Sequence, residues 1–373
     1  MNLSTRRTFT ATVAAVAAAA VLAVWASGAG TEARVAAPSG TENADDVGAT
    51  RQQLLDAWAE DGRGGVAVAI ADRDEEPHVL AAGTDGPGGG SLLPDAEFRV
   101  GSLTKTFVAV MVLQAIDESD IGLDDLVTRH APDLAIANGV TIRQLLAHRS
   151  GLPEHADGEL GPAVLADPTR TWTPEDVLAL VADQPRDFPP GERFAYSNTN
   201  YIVAGVLLER LTDRSLADNL RSRIVDRLNL DATYFSPDVR REPIGGFSSS
   251  LPGGDTEAVS YRAHETAVGA AGALVSSARD LATFLRALAH GELLADDIYA
   301  EMVSGLPAEG HSLGVFAADP PSATGISNAG ALPGFTAYMQ YDPATGDAFV
   351  LLLNDDTRSP EHLAEALLAG AGS

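Results

Sequence analysis

The stretch Phe98-Arg99-Val100-Gly101-Ser102-Leu103-Thr104-Lys105 decides the reading of this chain, because it sets a serine and a lysine one helical turn apart. Among the 25 Lys and Arg residues of the 373-residue sequence, Lys105 is the only lysine. Arginine does not give up its proton in a protein, whereas a desolvated lysine does and then serves as a base. An amine three residues after a serine can therefore activate the hydroxyl for nucleophilic attack. A serine at a helix start also carries an unpaired backbone N–H able to face developing negative charge. Taken alone, S-x-x-K equally describes a capping serine followed by an exposed lysine. The rest of the chain has to decide.

A second element, Phe194-Ala195-Tyr196-Ser197-Asn198-Thr199-Asn200-Tyr201, follows the turn signal Pro189-Pro190-Gly191. A phenol titrates near about 10 in water, and a lysinium within a few ångströms lowers that value. On this reasoning Tyr196 is expected to relay a proton between Ser102 and a leaving group. Asn198 is expected to hydrogen-bond both Lys105 and a substrate carbonyl. Read by itself, Tyr-Ser-Asn also fits an ordinary turn.

Composition narrows the function classes. The formal charge of −27 leaves nothing to neutralise phosphates, so nucleic acid and anionic lipid are excluded as partners. The absence of cysteine removes disulfides, Cys-ligated zinc and a Cys nucleophile. The eight histidines form no H-E-x-x-H pattern, and neither a metal nor a cofactor is expected. Residues 1–30 read as a signal peptide: Arg6-Arg7 with Phe9 resembles a twin-arginine signal, and Ala11 to Ala26 is uncharged. Residues 31–45 read as a flexible linker. The mature protein is expected outside the cytoplasm, without stable membrane insertion. The oligomeric state is not legible.

Periodicity predicts a helix over about 46–59, strands over 66–71 and 78–83, and a helix from Ser102 to about Asp117 with Val108, Met111, Val112 and Ala115 on one core-facing side. Ser277 to Asp280 reads as a helix start with a capping box. Strands over 335–341 and 347–353 flank the turn Asp342 to Gly346, and a last helix covers about 360–368. The implied fold class is α+β. An antiparallel sheet is built from N- and C-terminal strands and flanked by helices, with an inserted all-helical region. The single domain of 46–373 would then comprise a sheet part (about 46–100 and 270–373) and a helical part (about 101–269).

S-x-x-K, then Y-x-N some ninety residues later, then a Gly-rich strand near the C-terminus resembles the serine β-lactamase and penicillin-binding family. Leu145-Leu146-Ala147-His148-Arg149-Ser150-Gly151-Leu152, Gly272 to Leu281, and Gly330-Ala331-Leu332-Pro333-Gly334-Phe335 are also close to the family's wording. The likeness covers about residues 48–370 and is closest to class C β-lactamases and serine D-alanyl-D-alanine carboxypeptidases. It implies a serine hydrolase acting through an acyl-enzyme on Ser102. Lys105 and Tyr196 share the acid/base work, and Asn198, Asn328 and Gly330 position substrate. The backbone N–H groups of Ser102 and Ala331 form the oxyanion hole. His148 and Arg149 fall in what is a structural loop in that family. The implied substrate is a D-alanyl peptide or a β-lactam.

The third motif departs from the family. It is normally His-x-Gly or Lys-Thr-Gly, and here reads Asn328-Ala329-Gly330, with Ala329 and Ala331 where carboxypeptidases tend to carry hydroxyls. No Arg or Lys occurs between Arg286 and Arg358. A substrate carboxylate is best held by a charge-assisted hydrogen bond, and this strand supplies no cation for one. Either a cation from elsewhere, such as Arg149 or Arg193, reaches the pocket, or the substrate has no free carboxylate, as in an ester or amide. An esterase of the same fold and a weakly catalytic cell-wall-peptide-binding module remain the alternative readings.

Overall fold

Two apolar ends of the chain meet in one sheet. The computed structural model describes residues 44–71, 76–237, 243–248, 262–318, 325–358 and 360–369. The expected signal peptide and nearly all of the expected linker lie outside them. Helix α1 (Ala44–Trp58) starts two residues earlier than the sequence pattern suggested. Strands β1 (Gly65–Ala71) and β2 (His78–Gly83) form an antiparallel hairpin, and the short β3 (Phe98–Arg99) leads into the serine turn. Strands β4 (Tyr234–Phe235) and β5 (Leu274–Ser276) join β3 in a small sheet of order β3-β5-β4. After β6 (Phe316–Ala317), the strands β7 (Ile326–Leu332), β8 (Phe335–Asp342) and β9 (Asp347–Leu353) complete the main sheet, ordered β2-β1-β9-β8-β7-β6.

The register decides which side chains are covered. Val66 lies opposite Leu353 and Val68 opposite Leu351, so these four share a face. That face buries against Leu55 of α1 and Leu363 and Leu367 of the last helix (Glu361–Ala369). The other face, carrying Ala67, Ala69, Val350 and Leu352, packs on the helix Ala278–Ala289. Both faces of the sheet are therefore covered by helices, and the α+β class stands. At the start of Ala278–Ala289, Ser277 caps the Asp280 N–H as expected, but this is one arm of the expected capping box and not both, because the Asp280 carboxylate is turned elsewhere. The Asp280 carboxylate accepts from Ala232 N at 2.9 Å and Thr233 Oγ1 at 2.8 Å, fastening the helix to the β4 approach.

Helix α2 (Thr104–Asp117) differs from its sequence reading in one respect. A single apolar stripe was expected, yet every residue from Thr104 to Ile116 is buried. A helix apolar on all sides belongs in the interior, enclosed by neighbours rather than laid on a surface. One neighbour is α3 (Thr199–Thr212), and another is Ala278–Ala289, whose Phe284 stacks on Phe107 with ring centroids 3.7 Å apart. Such ring pairs contribute about 0.5–1.5 kcal/mol beyond their area. No helix among the described residues is long and apolar enough to cross a membrane.

Candidate active site

Gly101 to Leu103 form a 3-10 turn that runs directly into α2. The turn is wedged against β7. A Cβ on Gly101, whose φ is +54°, would stand 2.9 Å from Ala331 N, and one on Gly330 would stand 2.0 Å from Val100 O. Both positions therefore need glycine for close backbone approach, and Gly101 also for its left-handed φ. Thr104 Oγ1 donates to Gly101 O at 2.6 Å and accepts from Leu274 N at 3.0 Å, locking the turn to β5. Ser102 is left partly exposed at the end of this braced segment.

Around Ser102 Oγ the sequence-predicted groups converge. Lys105 Nζ lies 2.8 Å away and donates to Ala271 O at 2.6 Å. Tyr196 Oη donates to Ser102 Oγ at 2.7 Å. Lys105 is buried, and burial lowers its pKa to about 7 against the opposing pull of the Glu154 charge. The amine is therefore available as a base near neutral pH. The expectation for Tyr196 is reversed: burial raises its pKa above the ordinary phenol range and outweighs the hydrogen bond to Ser102. Near neutral pH the Tyr196 phenol therefore keeps its proton, and the Lys105 amine is the group that can give one up.

Two further expectations change. Asn198 was expected on Lys105, but its backbone N–H and its Nδ2 both donate to Glu154 Oε2, at 2.6 and 3.1 Å. Asn328 was expected to face substrate. Its Nδ2 instead donates to Thr106 Oγ1 at 2.9 Å and Ser102 O at 3.4 Å, and its Oδ1 accepts from Ala329 N. Asn328 is buried and ties β7 to the serine turn, which an uncharged amide does without the desolvation cost of a cation.

Sequence reasoning missed Glu154. It ends the run Ser150-Gly151-Leu152-Pro153-Glu154, four residues past Ser150 of a recognised motif, but nothing local marks it. Its carboxylate also accepts from Ala156 N at 2.9 Å, and burial raises its pKa against those donors and the Lys105 charge. The cations proposed to stand in for the missing third-motif base are engaged elsewhere. Arg149 pairs with Glu309 at 2.7 Å and donates to Gly191 O, while the exposed Arg193 lies over the Phe188 ring. Among the described residues no group of three or more His, Asp or Glu side chains is arranged to hold a metal.

A sequence model of the beta-lactamase family matches residues 50–372. An unguisins hydrolase from Aspergillus campestris is 31% identical over 64% of this chain and 45% of its own length. The chain thus spans less than half the length of the first curated relatives it matches. Among solved structures, the D-amino acid amidase of Ochrobactrum anthropi SV3, determined with L-phenylalanine amide, is 27% identical, with a TM-score of 0.75. That match covers 87% of this chain and 98% of the amidase. A D-stereospecific amidohydrolase from Streptomyces is 29% identical over 86% of this chain and 98% of its own, with a TM-score of 0.71. A family match across residues 50–372, on a fold whose sheet and helices enclose a serine in contact with a lysine and a tyrosine, shows that this chain belongs to the beta-lactamase family of serine hydrolases.

Proposed function

We propose that the protein hydrolyses amides of small amino-bearing acyl groups through an acyl-enzyme on Ser102, rather than trimming peptides that end in a free carboxylate. The observation that carries this reading is the charge around Ser102. Glu154 supplies an anion that acts on Lys105, while Arg149 is committed to Glu309 and β7 offers no cation. A carboxylate-bearing substrate would meet like charge and find no charge-assisted partner; an ammonium group would find one. The similarity to a D-amino acid amidase and a D-stereospecific amidohydrolase supports the same class.

In this mechanism neutral Lys105 takes the Ser102 proton as Oγ attacks the amide carbon. The resulting oxyanion faces the N–H groups of Ser102 and Ala331, and each such donor is worth about 10²–10³ in rate. Tyr196 gives its proton to the departing nitrogen and recovers one from the Lys105 ammonium. Water then attacks the acyl-enzyme by the reverse proton path, releasing the acid. No metal or cofactor enters the scheme. Export by the N-terminal segment belongs to this reading and is tested by finding the mature chain in the culture fluid.

The substrate class is tested by comparing D-phenylalanine amide, its N-acetyl derivative and diacetyl-Lys-D-Ala-D-Ala. The free-amine amide is expected to turn over fastest, with N-acetylation costing roughly 10- to 100-fold, the value of a hydrogen bond to a charged group. Faster D-alanine release from the tripeptide would make the protein a carboxypeptidase instead. A pH profile gives a second check. Because the base must be unprotonated, kcat/KM for the N-acetyl amide, whose acyl group carries no titrating amine, is expected to rise through a midpoint near 7 and level off above it, while the free-amine amide falls again as its own ammonium deprotonates. The Glu154 charge raises that midpoint, so Glu154→Gln should move the limb to lower pH while increasing KM for the amine substrate. A limb unmoved in this variant would separate Glu154 from Lys105.

A further inference from the structure

We propose that His148 is a positioning residue that holds the Tyr196 phenol on Ser102. The assignment rests on the reading of Tyr196 given above and on three contacts made by one residue. His148 O accepts from Ala195 N at 2.9 Å. The ring Nδ1 accepts from Ser197 N at 3.2 Å. The ring itself stacks on Tyr196, with centroids 4.4 Å apart and planes 26° apart. The residues before and after the phenol are thus pinned by the same residue whose ring supports its face: Ala195 by its main-chain carbonyl and Ser197 by its ring nitrogen.

The hydrogen-bond network fixes the tautomer. Leu152 N donates to Ser150 Oγ, and the Ser150 hydroxyl donates to Asn200 Oδ1. Asn200 therefore presents its Nδ2 to His148 Nδ1, at 3.2 Å. With two N–H donors pointing at it, Nδ1 carries a lone pair and the proton resides on Nε2. Burial keeps the ring neutral. The backbone at His148 is left-handed, with φ +54°, which a non-glycine residue adopts at a cost. That conformation aims the main-chain carbonyl and the ring at the same tripeptide. Tyr201 also lies against the ring, 5.3 Å between centroids, and its own hydroxyl is tied to Leu146 O at 3.0 Å.

The test uses the rate at which a fluorophosphonate labels Ser102, which needs no knowledge of the natural substrate. It is measured in wild type, His148→Asn, Tyr196→Phe and the double variant. Asparagine tolerates the left-handed backbone, and His148→Phe, which keeps the stacked face and removes the acceptor, serves as a second replacement. Misplacement of a reacting group by about 1 Å costs on the order of 100-fold. His148→Asn is expected to slow labelling by roughly 10- to 100-fold, and to have under about a twofold effect once Tyr196 is phenylalanine. Equal losses in both backgrounds would overturn the positioning role while leaving Tyr196 in place. A wild-type rate in His148→Asn and His148→Phe would overturn it as well. Wild-type labelling by Tyr196→Phe would instead show that attack by Ser102 does not depend on its hydrogen bond from the phenol, and the contact on which the proposal rests would lose its role.

Discussion

Replacing Lys105 with arginine is expected to lower kcat/KM by roughly 10³-fold or more, within the range general-base groups contribute. The change preserves the positive charge and removes the one property the site needs. Lys105 is 2% exposed, and its enclosure is what lowers its pKa to about 7. A guanidinium keeps its proton in the same surroundings. It is also planar and wider than an ammonium, in a space bounded by the Tyr196 and Tyr201 rings 5.0 and 5.8 Å from Nζ. Steady-state kinetics on an amide substrate, with thermal unfolding to confirm folding, check the expectation. Near-normal turnover in a folded Lys105→Arg protein would reduce the lysine to an electrostatic part and remove the base from the mechanism.

Gly330→Ala is expected to cost about 3 kcal/mol of stability, at the upper end of ordinary overpacking. A single methyl there would sit 2.0 Å from Val100 O and 3.1 Å from Leu103 Cδ1, and the nearer clash is with backbone, which does not swing aside as the end of a side chain would. The loss should also appear as slowed modification of Ser102, because the clash pushes directly on the serine turn. Gly161→Ala is the matched control: its φ is −56°, and an added Cβ meets nothing within 4 Å. Chemical denaturation of the two variants separates a local clash from a generic glycine effect. An unchanged midpoint for Gly330→Ala would mean that β7 and the serine turn are not in the contact described.

Much of the architecture was legible because its signals are local. Short apolar runs bounded by polar turns marked β1, β2, β8 and β9 to within a residue or two, and the spacing of Ser102 and Lys105 follows from helix geometry alone. Tyr196 was found by its motif, but the direction of its pKa was not, since burial is a property of the assembled site and outweighs the hydrogen bond to Ser102. The wedge at Gly101 and Gly330 was visible only as two glycines; the reason for them is a backbone more than two hundred residues away. Glu154 left no trace because its partners, Asn198 and Lys105, come from distant segments. Asn328 looked like a weakened substrate contact, and only its inward rotamer onto Thr106 explains why a neutral amide stands there.

The solitary lysine has a practical corollary. Isotopic enrichment of that amino acid alone leaves one side-chain resonance in the whole NMR spectrum, and it belongs to the amine beside Ser102. Its chemical shift against pH reports the protonation of that amine directly, free of overlap, in the resting protein and with an inhibitor bound.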